Sequence, residues 1–375
     1  MLKAMIDTVV LTIPKEALRL TSTSWDLHSK SGHYQKFVKN QTSSQKKDGI
    51  YRPRVRAIQR GRTAFIQIEF SVPKLIKGNN VDEVSESDFG TIITTLQTRL
   101  KDFGMYIFEP QLRKASISVF HPSKNVVLSG GYTVSGILKE LHKINLTKKM
   151  DLNRDSFRND GESLQCYSNS HSLVIYDKAR DLRKPSKRAV DKDQTPSQLS
   201  LFHNLKTNSL IEILRIEVRL SSKQKMNSVL KKNGFARNPT FEEVFKKEVC
   251  QKIVEHYWKS LIENSNLFLF SLTTNPKQVM RSLMQNNPTL KPKEIIYLVG
   301  LESLCRDENG IRELRSYVER FSSLRSWYRI ADGFNHLNSG RLLSNSHGWT
   351  SQVESQLKAF ESLKIDPLLV KNCKA

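Results

Sequence analysis

Two side chains in this sequence combine the type and setting that phosphoryl chemistry needs. Tyr176 ends an apolar run in "SLVIYDKARDL", and Glu217 stands between Arg215 and Arg219 in "LRIEVRL". A tyrosine titrates near pKa ~10, so it attacks a phosphorus only when a metal, a cation or a base favours the phenolate. Alternation along a strand puts Leu214, Ile216, Val218 and Leu220 on one face and Arg215, Glu217 and Arg219 on the other. A carboxylate between two guanidiniums suits a divalent metal ligand with two phosphate-binding arginines. The same pattern also suits a solvated face laced with cross-strand ion pairs, and a strand-end tyrosine is ordinarily a packed ring with its hydroxyl in water. If Leu173 and Ile175 face the core, Val174 and Tyr176 share the other face, within reach of Glu217. Lys178 follows as a donor to a phosphate, and Asp177 reads equally as a turn residue.

Other candidates are weaker when taken singly. His121, in "SVFHPSKNVVL", ends a predicted strand ahead of a Pro-Ser-Lys-Asn turn, where Lys124 and Asn125 either bind phosphate or shape the loop. A lone histidine is more often a satisfied residue than a ligand. Asp7 and Glu69 are the other strand carboxylates able to join a metal site. Tyr167 is the second choice of nucleophile.

These residues need a sheet to bring them together. Residues 5–13 read as a first strand rather than a signal peptide, and "TAFIQIEFSV" as a strand with Ile66, Ile68, Phe70 and Val72 on one face. Strands are also expected at 114–121, at "NVVLSG" and at 212–220. "PKLIKGNN" reads as a turn; residues 20–63 are polar and basic, with "SKSGHYQKFVKNQTSSQKKDG" reading as a long exposed loop or hairpin insertion. Helices are expected over "SDFGTIITTLQTRLKDFG", with Ser87 as N-cap and Gly104 as stop, and over 133–144. Residues 183–200 read as a mobile loop. Beyond about residue 223 the spacing turns helical: Val244, Ile253, Tyr257 and Leu261 share a stripe, and further helices are expected at 276–286, 291–304, 309–320 and 351–362. The reading is α+β, with a mainly antiparallel sheet and flanking helices over 1–222 and a mostly helical region over 223–375.

Charge narrows the partner. Sixty Lys and Arg face 37 Asp and Glu, giving a net charge of +23 and a pI near 9.8. That balance favours a polyanion. No apolar run is long enough to span a bilayer, and a membrane-surface role lacks strongly amphipathic basic helices with exposed aromatics. Cys166, Cys250, Cys305 and Cys373 form no CxxC pair, so a reduced cytoplasmic compartment is expected. There is no GxxxxGK[ST], HExxH or GxSxG motif. In the helical half, Arg312, Arg315, Arg320, Arg325 and Arg329 are available for phosphates, on a unit that could be helix-turn-helix or winged. Trp327 and Tyr328 could stack on bases or be core.

Several stretches, in order, resemble one family: "MIDTVVLTIP", "FSVPKLIKGNN", "HPSKNVVL", "FRNDG", "SLVIYDKARDL" and "LRIEVRL". The family is the gene II/X group of phage and plasmid replication proteins, the filamentous-phage-type rolling-circle initiators. YDK and LRIEVRL are also similar to the tyrosine and glutamate motifs of Rep_trans-type plasmid initiators. The resemblance covers about residues 5–222. It implies a site-specific DNA nicking and strand-transfer enzyme. Tyr176 would attack an origin phosphodiester, keep the 5′-phosphate and release a 3′-OH for a polymerase, and a separate helicase would unwind the duplex. It also implies a divalent ion, Mg²⁺ or Mn²⁺, with Glu217 as ligand and Asp7, Glu69 and His121 as candidates for the rest. Many relatives carry an acidic residue where this chain has His121. The competing reading is a non-catalytic origin- or operator-binding protein.

Overall fold

The computed structural model describes residues 6–21, 25–45, 47–144, 154–158, 162–183, 212–263, 275–307, 310–339 and 348–364. Its strands are β1 (Ile6–Pro14), β2 (Arg19–Leu20), β3 (Asp26–Ser31), β4 (Tyr34–Lys39), β5 (Arg54–Arg60), β6 (Thr63–Ser71), β7 (Met105–Tyr106), β8 (Ser116–Leu128), β9 (Arg154–Arg158), β10 (Ser163–Tyr167), β11 (His171–Asp177) and β12 (Glu212–Leu220). Ten of them form one sheet in the order β3-β4-β5-β6-β1-β8-β12-β11-β10-β9, with every pairing antiparallel. β2 and β7 make a separate small ribbon. The fold is α+β.

The helices of the first half are α1 (Val72–Lys77), α2 (Phe89–Lys101), α3 (Glu109–Arg113), α4 (Val134–His142) and α5 (Lys178–Arg183). After the sheet come α6 (Lys223–Lys232), α7 (Phe241–Val244), α8 (Lys247–Glu263), α9 (Pro276–Asn286), α10 (Pro292–Arg306), α11 (Gly310–Phe321), α12 (Leu324–Ser339) and α13 (Trp349–Ala359).

Period-two alternation decides which face of the sheet is buried. Leu11, Ile66, Ile68, Phe70, Phe120, Leu173, Ile175, Leu214, Ile216 and Val218 pack with Leu96, Leu100, Leu138, Leu141, Val229 and Ile253 of the helices in one core. Each such aliphatic side chain stabilises the fold by about 1.5–3 kcal/mol through burial, and a one-residue slip of β12 would turn Leu214, Ile216, Val218 and Leu220 out of the apolar core and Arg215, Glu217 and Arg219 into it. The opposite face carries Arg215, Glu217, Arg219, His121 and Glu69.

Several expectations need correction. Residues 114–128 hold no turn: β8 runs unbroken through Pro122, with His121, Lys124 and Asn125 inside it. A proline lacks the N–H a central strand needs, and it is accommodated because the β1–β8 register shifts between Ile6, which faces Pro122, and Thr8, which faces His121. "VPKLIK" is the helix α1, with Pro73 in its first turn and Gly78 (φ 68°) closing it, not a turn. Ser87 is not the cap ahead of α2; Ser85 and Asp88 form the capping box there. The hairpin alternative holds for the first part of the basic stretch: β3 and β4 pair as an antiparallel hairpin, and β5 follows at Arg54–Arg60. The expected mobile loop at 183–200 lies, beyond Arg183, outside the described residues.

The expected division at residue 222 does not coincide with a break in the core. Met226, Phe241, Phe245, Ile253, Trp258, Trp349, Val353 and Phe360 all pack in the sheet's core, because the apolar stripe of α8 lies against β8 and β12. A second core is built within α9–α12, from Val279, Leu283, Ile295, Leu298, Leu301, Ile311, Trp327 and Phe334. Among the described residues no strand follows β12. No helix is long and apolar enough to cross a membrane among the described residues.

Candidate active site

Register brings the two leading residues together. β11 pairs with β12 so that Tyr176 faces Arg215 and Val174 faces Glu217. Directly paired residues share a face, and diagonal neighbours are within reach of long side chains. The Tyr176 hydroxyl donates to Glu217 Oε2 at 3.3 Å. β8 flanks β12 on the other side, with Ser123 opposite Glu217. His121, two residues earlier on the same face, puts Nδ1 3.7 Å from Glu217 Oε1.

Glu217 is buried with its carboxylate fully engaged. Arg219 Nε donates to Oε1 at 2.7 Å, and Arg215 Nε stands 3.9 Å from Oε2. Burial opposes ionisation here, but Arg219 and Arg215 more than offset it, holding the carboxyl well below the usual carboxylate range. Arg215 is 2% exposed. One of its nitrogens donates to Asp7 Oδ1 at 2.7 Å and to Ser123 Oγ at 3.0 Å, and the other donates to the Asn80 carbonyl at 2.9 Å. It is therefore a fixed charge beside the tyrosine and not a free phosphate clamp. Arg219 is 37% exposed and is the arginine able to reach outward.

Burial pushes the Tyr176 hydroxyl well above its ordinary value of 10; Arg215 pulls it back and Glu217 adds to the rise. Lys178, the first residue of α5, is buried, with Nζ 5.6 Å from the Tyr176 ring centre and 3.6 Å from Asp181 Oδ2. Burial, aided by Arg215, lowers it to about 8. Asp177 accepts from the Arg180 backbone N–H at 2.9 Å, so it caps α5.

The remaining expected residues divide. Glu69 borders the site closely enough to act on His121 electrostatically, but it pairs with Arg56 at 2.7 Å. Lys124 and Asn125 are not exposed phosphate ligands. Both are buried; Lys124 Nζ lies 3.0 Å from Glu83 Oε2, and Asn125 Nδ2 donates to the Val81 carbonyl. Tyr167 is five residues before Ser172 in chain, at the far end of β10 from Ser163, which faces Tyr176. In the helical part, Arg312 Nε donates to the Ile144 carbonyl at 2.8 Å and Arg315 pairs with Glu319. Arg325, Arg329 and Tyr328 are exposed, while Trp327 is core. Ser123, Asn80 and Glu83 escaped the sequence reading. Only Ser123 had a signal, its period-two spacing from His121.

A divalent ion asks for converging oxygen and nitrogen donors. His121 offers one: burial lowers its pKa, and among the described residues its buried Nε2 has no hydrogen-bond partner. Asp7 and Glu69, however, are each taken by an arginine, Glu217 Oε1 is held by Arg219, and no group of three such ligands converges among the described residues. The expected four-residue set does not fit a metal centre in this arrangement. No protein-family model, no curated protein and no solved structure matches this chain.

Proposed function

We propose that this protein is a DNA-nicking and strand-transfer enzyme of the rolling-circle type, with Tyr176 as nucleophile. The observation that carries the reading is the contact between the Tyr176 hydroxyl and Glu217, set between Arg215 and Arg219 on the face of β12 turned away from the apolar core. The net charge of +23 fits a DNA substrate.

In the resting arrangement the tyrosine is a phenol and Glu217 a poor base, because two guanidiniums hold its charge. An incoming phosphate competes for Arg219, the exposed one of the pair. Drawing that arginine away restores basicity to Glu217 at the moment the tyrosyl proton must leave. Tyr176 Oη then bonds to phosphorus, the bond from phosphorus to the 3′-oxygen breaks, and that oxygen leaves as a 3′-OH with the proton relayed through Glu217. The 5′-phosphate stays on Tyr176, conserving bond energy for a second transesterification that reseals a strand without ATP. Arg215, locked by Asp7 and Ser123, keeps a positive charge beside the developing phenolate. A polymerase and a helicase of the host would act on the product.

The second reading, a non-catalytic DNA-binding protein on this scaffold, is favoured by the burial that raises Tyr176 and by the unassembled metal-ligand set. One experiment separates the two. The full chain is incubated with a labelled single-stranded DNA library carrying randomised centres, in Mg²⁺, in Mn²⁺ and in EDTA, and SDS-stable adducts are sought. The enzyme reading expects an adduct that Tyr176→Phe abolishes and Arg219→Ala weakens about 10²-fold or more. Absence of adduct under every condition supports the binding protein, and an adduct that survives in Tyr176→Phe moves the nucleophile elsewhere.

A further inference from the structure

Residues 27–68 contain ten lysines and arginines and one carboxylate, Asp48, so this short stretch supplies nine of the chain's 23 net positive charges. It folds as β3, β4, β5 and most of β6, the outermost strands on one side of the sheet. Every residue of β3 is exposed, and every residue of β4 is partly exposed on both faces. The two connecting turns lie side by side: the Gly61 N–H donates to the His33 carbonyl at 2.9 Å. Gly32 (φ 52°) and Gly61 (φ 57°) supply the left-handed backbone those turns require, and a Cβ at either would meet nothing within 4 Å. Arg60 lies over the Tyr34 ring, 5.6 Å from its centre. Lys30, Arg60 and Arg62 are exposed around the twin turns, and among the described residues no carboxylate lies within ion-pair distance of them.

Edge protection explains part of this. A lysine or two on an outer strand discourages pairing with another sheet. It does not explain Arg60 and Arg62, which flank the inner β5–β6 turn, nor a ribbon left open to solvent on both faces. A two-stranded β-ribbon of this kind fits the major groove of duplex DNA, about 12 Å wide, with basic side chains directed at the phosphates of both walls. We infer that the β3–β4 ribbon and the adjoining β5–β6 turn form a duplex-DNA docking arm, separate from the face that holds Tyr176. The arm would grip double-stranded DNA beside the nick while the sheet face takes the cleaved strand. This rests on the reading that the chain acts on DNA, but not on Tyr176 being its nucleophile.

The test uses the full chain, a 30-base-pair duplex and a 30-nucleotide oligo(dT), with binding followed by fluorescence anisotropy across a salt series. The triple variant Lys30→Ala, Arg60→Ala, Arg62→Ala is expected to lose about tenfold or more in duplex affinity. Its slope of log affinity against log salt should fall by about 2 to 3. Oligo(dT) affinity and any adduct formation should stay within about twofold of wild type. Tyr176→Phe should bind duplex as wild type does, so failure of the nicking reading leaves this result intact. An unchanged duplex affinity overturns the arm, as does equal loss on duplex and oligo(dT), which would make the ribbon a general counter-charge. Circular dichroism confirms that the triple variant is folded.

Discussion

The site and the arm are both rich in arginine and lysine, yet they handle charge in opposite ways. At the site the cations are balanced by carboxylates and, Arg219 apart, buried. Arg215 is answered by Asp7 and Glu217, Arg219 by Glu217, and Lys124 by Glu83. On the arm, Lys30, Arg60 and Arg62 are exposed and, among the described residues, no carboxylate pairs with them. Buried charges are costly to leave unpaired and so become structural as much as chemical, whereas exposed ones cost the fold little and are free for a ligand. Stability should therefore depend on the site and binding on the arm.

The strongest challenge to this contrast is to remove the carboxylate at its centre. Glu217→Ala strips Arg219 of its carboxylate and leaves Arg215 with Asp7 alone, and should destabilise the fold by about 3–5 kcal/mol, measured by urea unfolding. The wild-type contribution has a sign in pH as well. Because the folded carboxyl lies below its free value of 4.5, this stabilisation is fully present above that value and fades as pH falls below it. Glu217→Gln should flatten that acid limb.

Lys178 sharpens the contrast from the other side, being buried against a half-exposed partner. Lys178→Met is expected to stabilise the protein at pH 7 by about 1–2 kcal/mol, since a desolvated ammonium gives way to an apolar chain of similar length. The folded amine titrates at about 8 and the unfolded one at 10.5. Its burial cost is therefore full below pH 8 and disappears as pH rises to 10.5, and the advantage of the Met variant should shrink across that window. Tyr176→Phe should change stability by less than about 1 kcal/mol, because its hydrogen bond is long and the ring stays. Smallest of all, the arm substitutions should each shift stability by no more than about 0.5 kcal/mol while lowering duplex affinity.

What the sequence could show followed from local rules. Alternation in "LRIEVRL" and "SLVIYDK" placed Tyr176 and Glu217 correctly with respect to the core, because a half-buried strand writes its two faces into every second residue. The order of strands has no such local mark. Asp7 and Arg215 are 208 residues apart in sequence, and nothing in either segment announces that β1 and β12 flank the same strand. The misread turn at Pro122 has a related cause. Proline and a polar Ser-Lys-Asn run normally punctuate a loop; here a register shift absorbs the proline, and Glu83, from a distant segment, neutralises the lysine. The helical stripe of α8 was legible, but the surface it covers was not. That is why the core crosses the expected boundary at residue 222.

The position of β12 between β8 and β11 has a consequence for how the chain is made. Among the described residues it is the last strand in sequence, and it sits near the middle of the sheet. During synthesis, everything up to β8 can assemble on one side and the β9–β10–β11 meander on the other, each ending in an unpaired edge. Only when residue 220 has cleared the ribosome can the two be zipped together and the charges of Arg215 and Glu217 meet their partners. Until then β8 and β11 present open, largely apolar edges, the kind of surface on which nascent chains associate wrongly. The same step that completes the sheet also assembles the site, so no fragment that stops short of β12 can hold Tyr176 in its working environment.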